Sequence, residues 1–232
     1  MLKIDLHIHT SISKDSQNTL LEYINQAKKL KMKVIGISNH GPKTGVMMGG
    51  EVHFRSMARV PKTVEGVRVL KGIEANIIDK DGSTDITERI FEKLDYAMAS
   101  FHQVSLYKRG DIKTDTRAMI ETIKSGRINI ITHPYVVGVD IEKVAEAACK
   151  NNVLLEIDNN YLKADYLPDI IKMIEIVRKH KDKIIIGGDA HNIWELGDDS
   201  KINKIKKEIG LTEDLIINNY QQELFKRLNI KE

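Results

Sequence analysis

Short runs of β-branched and apolar residues alternate along this chain with longer stretches whose apolar positions recur every three or four residues. The short runs occupy residues 3–6, 34–37, 68–73, 96–99, 129–131, 153–157 and 184–186. Their nearly continuous apolar character predicts strands covered on both faces. Amphipathic stretches at 19–30, 116–124, 141–150 and 167–179 predict helices. Strand and helix alternate with few hairpin signals, which predicts an α/β fold with a parallel sheet. Two further helical patterns follow, one through Ile202, Ile205 and Ile209 with Gly210 as its C-cap, the other over 220–228. The least regular connection, 41–61, carries Gly45, Gly49 and Gly50 and reads as an active-site wall or lid. A shorter polar stretch, 104–114, follows the fourth strand. No linker, repeat or low-complexity block divides the chain. The expectation is one domain over residues 1–232, with a core to about 195 and a helical tail packing on it.

Composition narrows the class. Hydrophobic residues are 41% and charged residues, of mixed sign, 30%, so a folded core is expected. A net charge of +3 lacks the concentrated basic face of a nucleic-acid binder. The basic runs at 28–33 and 201–207 alternate with apolar residues and read as solvated helix faces. Cys149 lies on a small-residue helical face and reads as a packed, inert thiol. With no disulfide possible within the chain, no secretory segment at its start and no apolar run of about 20 residues, the expected location is the cytoplasm, without a membrane partner.

The chemistry gathers where strands run out. His7 and His9, His40, Glu74, His102, His133, and Asp189 with His191 all stand at such places. Imidazole and carboxylate are ligands for zinc, manganese and iron. One His-x-His pair alone is weak; the same chemistry at five further strand ends is not coincidence. Ligands this scattered converge only if the fold collects strand ends, as a (β/α) barrel does at its C-terminal face. A doubly wound sheet would place them at one switch point. Asp5 is expected on the face of His7 and His9, orienting an imidazole through its second N–H. The strand at 153–157 carries no expected ligand, and Asn159 and Asn160 after it are expected to line the pocket. Arg55 and Arg59, one turn apart if 52–59 is helical, are candidates to grip a phosphate. His53 is a candidate general acid or lid residue, and Lys108 and Arg109 candidates to meet substrate. His180 reads as a surface residue and Trp194 as packing a helix start.

A middle glutamate with extra histidines departs from the amidohydrolase pattern, which bridges its metals with a carboxylated lysine. The set His7, His9, Asp15, His40, Glu74, His102, His133, Asp189 and His191 closely resembles the signature of the PHP (polymerase and histidinol phosphatase) family. Segments such as 72–77, 118–123 and 144–148 are similar to its YcdX-type stand-alone phosphatase branch. That resemblance covers residues 1 to about 195. It implies a distorted (β/α)7 TIM-like barrel with its active site at the C-terminal ends of the strands, and three divalent metal ions. By it, His7, His9, Glu74 and Asp189 hold the first metal. Glu74, bridging, holds the second with His102 and His133, and Asp15, His40 and His191 hold the third. The branch often has histidine where Asp15 stands, which bears on the third metal. Zinc is the first expectation, with manganese or iron as alternatives. Three dications facing three carboxylates leave a positive pocket suited to phosphate, with a metal-bridging hydroxide as nucleophile and Glu74 and Asp189 holding the cluster. The implied function is hydrolysis of a small phosphate monoester. The alternatives are a nuclease or proofreading phosphodiesterase and a non-catalytic module. The family relation also hints at a homo-oligomer.

Overall fold

The computed structural model describes residues 1–102 and 107–230. Its strands are β1 (Ile4–Asp5), β2 (Val34–Ile37), β3 (Thr63–Val64), β4 (Val67–Lys71), β5 (Glu74–Asn76), β6 (Met98–Ser100), β7 (Ile130–Ile131), β8 (Leu154–Asp158) and β9 (Ile184–Gly187). The helices are α1 (Leu20–Lys29), α2 (Gly50–Ser56), α3 (Glu88–Phe91), α4 (Ile112–Lys124), α5 (Ile141–Lys150), α6 (Leu167–Lys179), α7 (Ser200–Ile205) and α8 (Gln221–Arg227). One sheet has the order β1-β2-β4-β3 and the other β5-β6-β7-β8-β9, with every pair parallel except β3 with β4. Single parallel bridges join the two sheets at both seams, His40 with Glu74 and Ile8 with Ala190. The parallel strands therefore follow one another around a ring.

The side chains inside this ring form one buried cluster. Ile4, Leu6, Val34, Leu70, Tyr96, Met98, Ile130, Leu154 and Ile185 meet Ile217, Leu224, Phe225 and Leu228 there. The tail thus closes the N-terminal mouth of the ring with α8. Larger apolar layers outside the ring pack the strands against α1 and, separately, against α4, α5 and α6. The Tyr96 ring lies inside, between Gly36 and Gly72, where an added Cβ would come within 2.3 and 2.2 Å of it. Its hydroxyl donates to the Leu6 carbonyl at 2.5 Å.

Local sequence accounts for the helix starts. Thr19 and Glu22 form a reciprocal capping box on α1, and Asp111 and Asp140 cap α4 and α5. Asp111 starts α4 one turn before the expected position. Gly210, at φ +69°, ends the turn after α7, and Leu211 N–H reaches the Lys206 carbonyl at 2.8 Å.

Three differences from expectation have physical causes. Glu65 and Gly66, both at positive φ, make a tight hairpin that adds the antiparallel β3. The strand expected at 68–73 breaks at Gly72 beside Tyr96 and resumes as β5, so Glu74 opens a strand rather than following one. The connection 41–61 contains α2 and a 3-10 turn, Met57–Arg59, rather than open loop. Residues 104–106 of the expected polar stretch lie outside the described residues. Among the described residues, no helix is long and apolar enough to cross a membrane.

Candidate metal centre

Above the apolar floor of the ring, five imidazoles surround one carboxylate. Ring nitrogens of His7, His9, His40, His102 and His133 lie 3.4, 3.5, 3.0, 3.2 and 3.3 Å from Glu74 oxygens. Asp189 Oδ1 is 3.2 Å from His7 Nε2 and 3.0 Å from His9 Nε2. Asp15 Oδ2 reaches His40 Nε2 at 3.3 Å and His191 Nε2 at 3.7 Å. The nine side chains of the signature therefore meet in one place.

Each of the five imidazoles around Glu74 carries a buried nitrogen that makes no hydrogen bond. His7 Nε2, both nitrogens of His9, His40 Nδ1, His102 Nε2 and His133 Nδ1 are buried with no hydrogen-bond partner. Buried polar atoms are ordinarily paired, so such a concentration calls for a ligand. Two donors each about 2.1 Å from one tetrahedral ion stand about 3.4 Å apart. The separations around Glu74, 3.0 to 3.5 Å, lie near that value. Among the described residues, four overlapping groups each have donor atoms within 4.8 Å of one another: His9, His40, His191; His7, His9, Glu74; His40, Glu74, His102; and His7, Asp158, Asp189. The donor set of imidazole nitrogen and carboxylate oxygen fits zinc, manganese or iron.

Neighbouring groups set which nitrogen faces inward. His7 Nδ1 bonds Glu156 Oε1 at 2.8 Å, leaving Nε2 toward Glu74 and Asp189. His102 Nδ1 bonds Asn76 Oδ1 at 2.8 Å. The amide of Asn76 is oriented in turn, because its Nδ2 donates to Asp85 Oδ2 at 2.6 Å. Thr132 donates its hydroxyl to Glu74 Oε1 at 2.8 Å. His133 and Asp189 both adopt positive φ, +33° and +43°, a costly backbone for such residues that concentrates at functional sites.

The charges are tightly interlocked. Burial opposes protonation of His40, but Asp15 and Glu74 hold its pKa up at about 10. Burial likewise opposes His191, which Asp15 and Asp189 raise to about 9. His9 goes the other way, to about 3, through burial and the nearby His40. Burial works against the Glu74 charge, yet His102 and His7 hold it well below the usual carboxylate range. Asp158 is pushed well above that range by burial and by Asp189 and Glu156. Such a pocket balances its carboxylates with cations.

The cleft over this centre measures about 300 Å³ and is walled by Phe101, Arg109, Val136, Val137 and Tyr161. Of the residues expected to meet substrate, only Arg109 lines it, held by Asp115 at 2.9 Å and 5.0 Å above the Phe101 ring. Arg55 and Arg59 are exposed outside it, because α2 and the turn after it present them to solvent. His53 points instead to Asn39, with Nε2 3.0 Å from Nδ2, and secures α2 to the loop after β2. Lys108 is exposed away from the cleft. Asp5 does not orient an imidazole; its carboxylate accepts from the backbone N–H groups of His7, Gly188 and Gly197. Asn159 turns from the pocket to accept from Lys201 and Ile202 at the start of α7, and Asn160 binds the Gly188 carbonyl. Trp194 precedes α7 and stays 79% exposed rather than packed. His180 pairs at the surface with Glu146. Sequence reasoning missed Glu156, Asp158, Asp85 and Thr132.

A PHP domain family model matches residues 5–208. A probable phosphatase of Clostridium acetobutylicum is 34% identical over 236 residues, covering 98% of this chain and 95% of that protein. A probable phosphatase of Thermoanaerobacter sp. is 36% identical over 225 residues, covering 94% and 90%. Among solved structures, histidinol phosphate phosphatase from Lactococcus lactis, complexed with zinc, L-histidinol and phosphate, superposes with TM-score 0.60 at 14% identity, covering 90% of this chain and 94% of that one. A chain of archaeal ribonuclease P with mature tRNA gives TM-score 0.60 at 15% identity, covering 97% and 90%. At these identities the structural likeness shows the fold alone.

Proposed function

Because the chain belongs to the PHP domain family, we propose that it is a metal-dependent phosphatase acting on a small phosphate monoester. The observation that carries the reading is the ring of buried nitrogens without hydrogen bonds around Glu74. His7, His9, Glu74 and Asp189 are proposed to hold a first cation, Glu74 with His102 and His133 a second, and Asp15, His40 and His191 a third. Zinc suits the imidazole-rich donors, and zinc is present in the Lactococcus lactis phosphatase structure. When bound, divalent ions supply Lewis-acid stabilisation of phosphoryl charge and lower the pKa of water.

The chain's own groups prepare the rest. Glu156 and Asn76 keep protons on the outer nitrogens of His7 and His102, so the inner nitrogens stay free to ligate. Thr132 fixes one Glu74 oxygen. Arg109 at the cleft wall is placed to meet an anion, and Phe101, Val136, Val137 and Tyr161 give the leaving group an apolar side. A cleft of about 300 Å³ suits a metabolite-sized substrate better than a polynucleotide.

The test pairs metal analysis of the purified protein with a hydrolysis screen over phosphorylated metabolites and single-stranded oligonucleotides. About three metals per chain with monoester turnover, abolished in His7→Ala and Glu74→Gln, is the expected result. Preferential cleavage of oligonucleotides, or undiminished turnover in both variants, would overturn the proposal.

A further inference from the structure

β8 is the strand that the family signature leaves without a ligand, yet it carries Glu156 and Asp158, both fully buried. Glu156 has its partners, His7 Nδ1 at 2.8 Å and the His133 N–H at 3.2 Å. Asp158 has a partner on one oxygen only. Its Oδ1 accepts from the Asn160 N–H at 2.6 Å, closing a turn that Asn160 Nδ2 ties to the Gly188 carbonyl at 2.9 Å. The carboxylate is therefore fixed in rotation. Its Oδ2 is buried with no hydrogen-bond partner. The backbone around it is held as firmly, since Asp158 N–H donates to the Tyr135 hydroxyl at 2.9 Å and the residue pairs with Gly187 of β9.

A donor oxygen of Asp158 lies within 4.8 Å of donor atoms of His7 and Asp189, which also approach each other. Asp158 is absent from the cleft lining, so it stands below the cleft and out of reach of a substrate there. An unpaired carboxylate oxygen is costly to bury, more so beside Asp189 and Glu156. A shared cation removes that cost. We propose that Asp158 is a further ligand to the cation held by His7 and Asp189, giving this position a harder, more oxygen-rich ligand set than the family signature describes. The inference rests on the metal-centre reading above. It predicts that this position, among the three, accepts manganese most readily, because carboxylate ligands suit that ion.

Zinc and, separately, manganese titrated into the chelator-stripped chain against a chromophoric chelator test this. In Asp158→Asn, one metal equivalent is expected to bind at least about tenfold more weakly, with the other equivalents unchanged. Asp158→Glu should recover part of that loss, which a merely structural role would not produce. Unchanged affinity for every equivalent in Asp158→Asn overturns the inference while leaving the metal centre standing. No metal binding by the unaltered chain overturns both. Should Asp158→Asn fail to fold, the zinc-loaded structure of the unaltered chain decides. An Asp158 oxygen about 2.0–2.2 Å from zinc supports the assignment, and one beyond about 3 Å refutes it.

Discussion

Glu156 joins two imidazole-bearing segments through one buried carboxylate, which bonds the ring of His7 and the backbone of His133. Replacing it with alanine leaves the His7 Nδ1–H without an acceptor in a buried site. Such a loss costs about 1–3 kcal/mol of stability, and loss of a group orienting a ligand histidine typically weakens metal binding about 10–100-fold. Glu156→Gln retains an acceptor for the imidazole and should recover most of the stability. Denaturant unfolding of the metal-free variants, with a zinc titration of each, checks both outcomes. Cys149 offers an independent expectation at this scale. Burial and the neighbouring Asp182 push its thiol up to about 12. The raised value means the reactive thiolate forms only at alkaline pH. Alkylation at pH 8 should therefore run far more slowly than in the urea-unfolded chain. Equal rates in the two states would refute the packed, inert reading.

At the level of the strand, what is legible in the sequence depends on counting in twos. Leu154 faces the interior of the ring, so Glu156 and Asp158 follow it on the same face toward the C-terminal end. The same step leads from Leu70 through Gly72 to Glu74, from Ile130 to Thr132, and from Ile185 through Gly187 to Asp189. An apolar floor thus gives way within one or two steps to glycine, hydroxyl and carboxylate. The strand-end residues could be found because histidine stands out against apolar runs. Glu156 was invisible as an isolated polar residue inside such a run, and the partners of His102 depend on Asp85, which no local pattern ties to a strand. Helical spacing predicts that Arg55 and Arg59 are neighbours but not which way they face, and the structure puts one in α2, the other in the turn after it, and both in solvent. Gly187 shows how strongly one strand constrains the next. A Cβ there would stand 1.9 Å from Glu156 Oε1 and 3.0 Å from His7 Cβ. Gly187→Ala should therefore destabilise by about 1–3 kcal/mol and loosen zinc binding, as overpacked cores do. Gly45→Ala, with nothing within 4 Å of the added Cβ, should stay within about 0.5 kcal/mol of the parent. Thermal unfolding of the two variants side by side reads the contrast.

Across the whole molecule, the two ends of the ring do different work. The N-terminal mouth is closed by Leu224, Phe225 and Leu228 against the strand interiors, and the C-terminal mouth gathers the charged cluster. Counting Glu156 and Asp158 with Asp15, Glu74 and Asp189 puts five carboxylates, rather than three, beside three proposed dications. The proposed pocket is then less positive than the signature alone implies, which favours retention of metal over raw attraction of anions. Separate ends also mean separable energetics. Phe225→Ala opens a cavity at the plug and should cost about 3–5 kcal/mol. Metal binding stabilises only the folded chain, by about 2.7 kcal/mol for each site at a free concentration one hundred times its Kd. Because the plug residues touch none of the ligands, Phe225→Ala should lower the melting temperature of the metal-free and zinc-loaded protein alike, with the zinc-induced stabilisation preserved. Glu74→Gln should instead erase most of that zinc-induced stabilisation and should also lower the stability of the metal-free protein, since His40 and the other buried imidazoles lose their shared counter-charge. Melting curves of the parent and both variants, with chelator and with zinc, separate the effects. If Phe225→Ala abolished the zinc response, the two ends would be coupled through the strands, and the division of labour along the ring would be wrong.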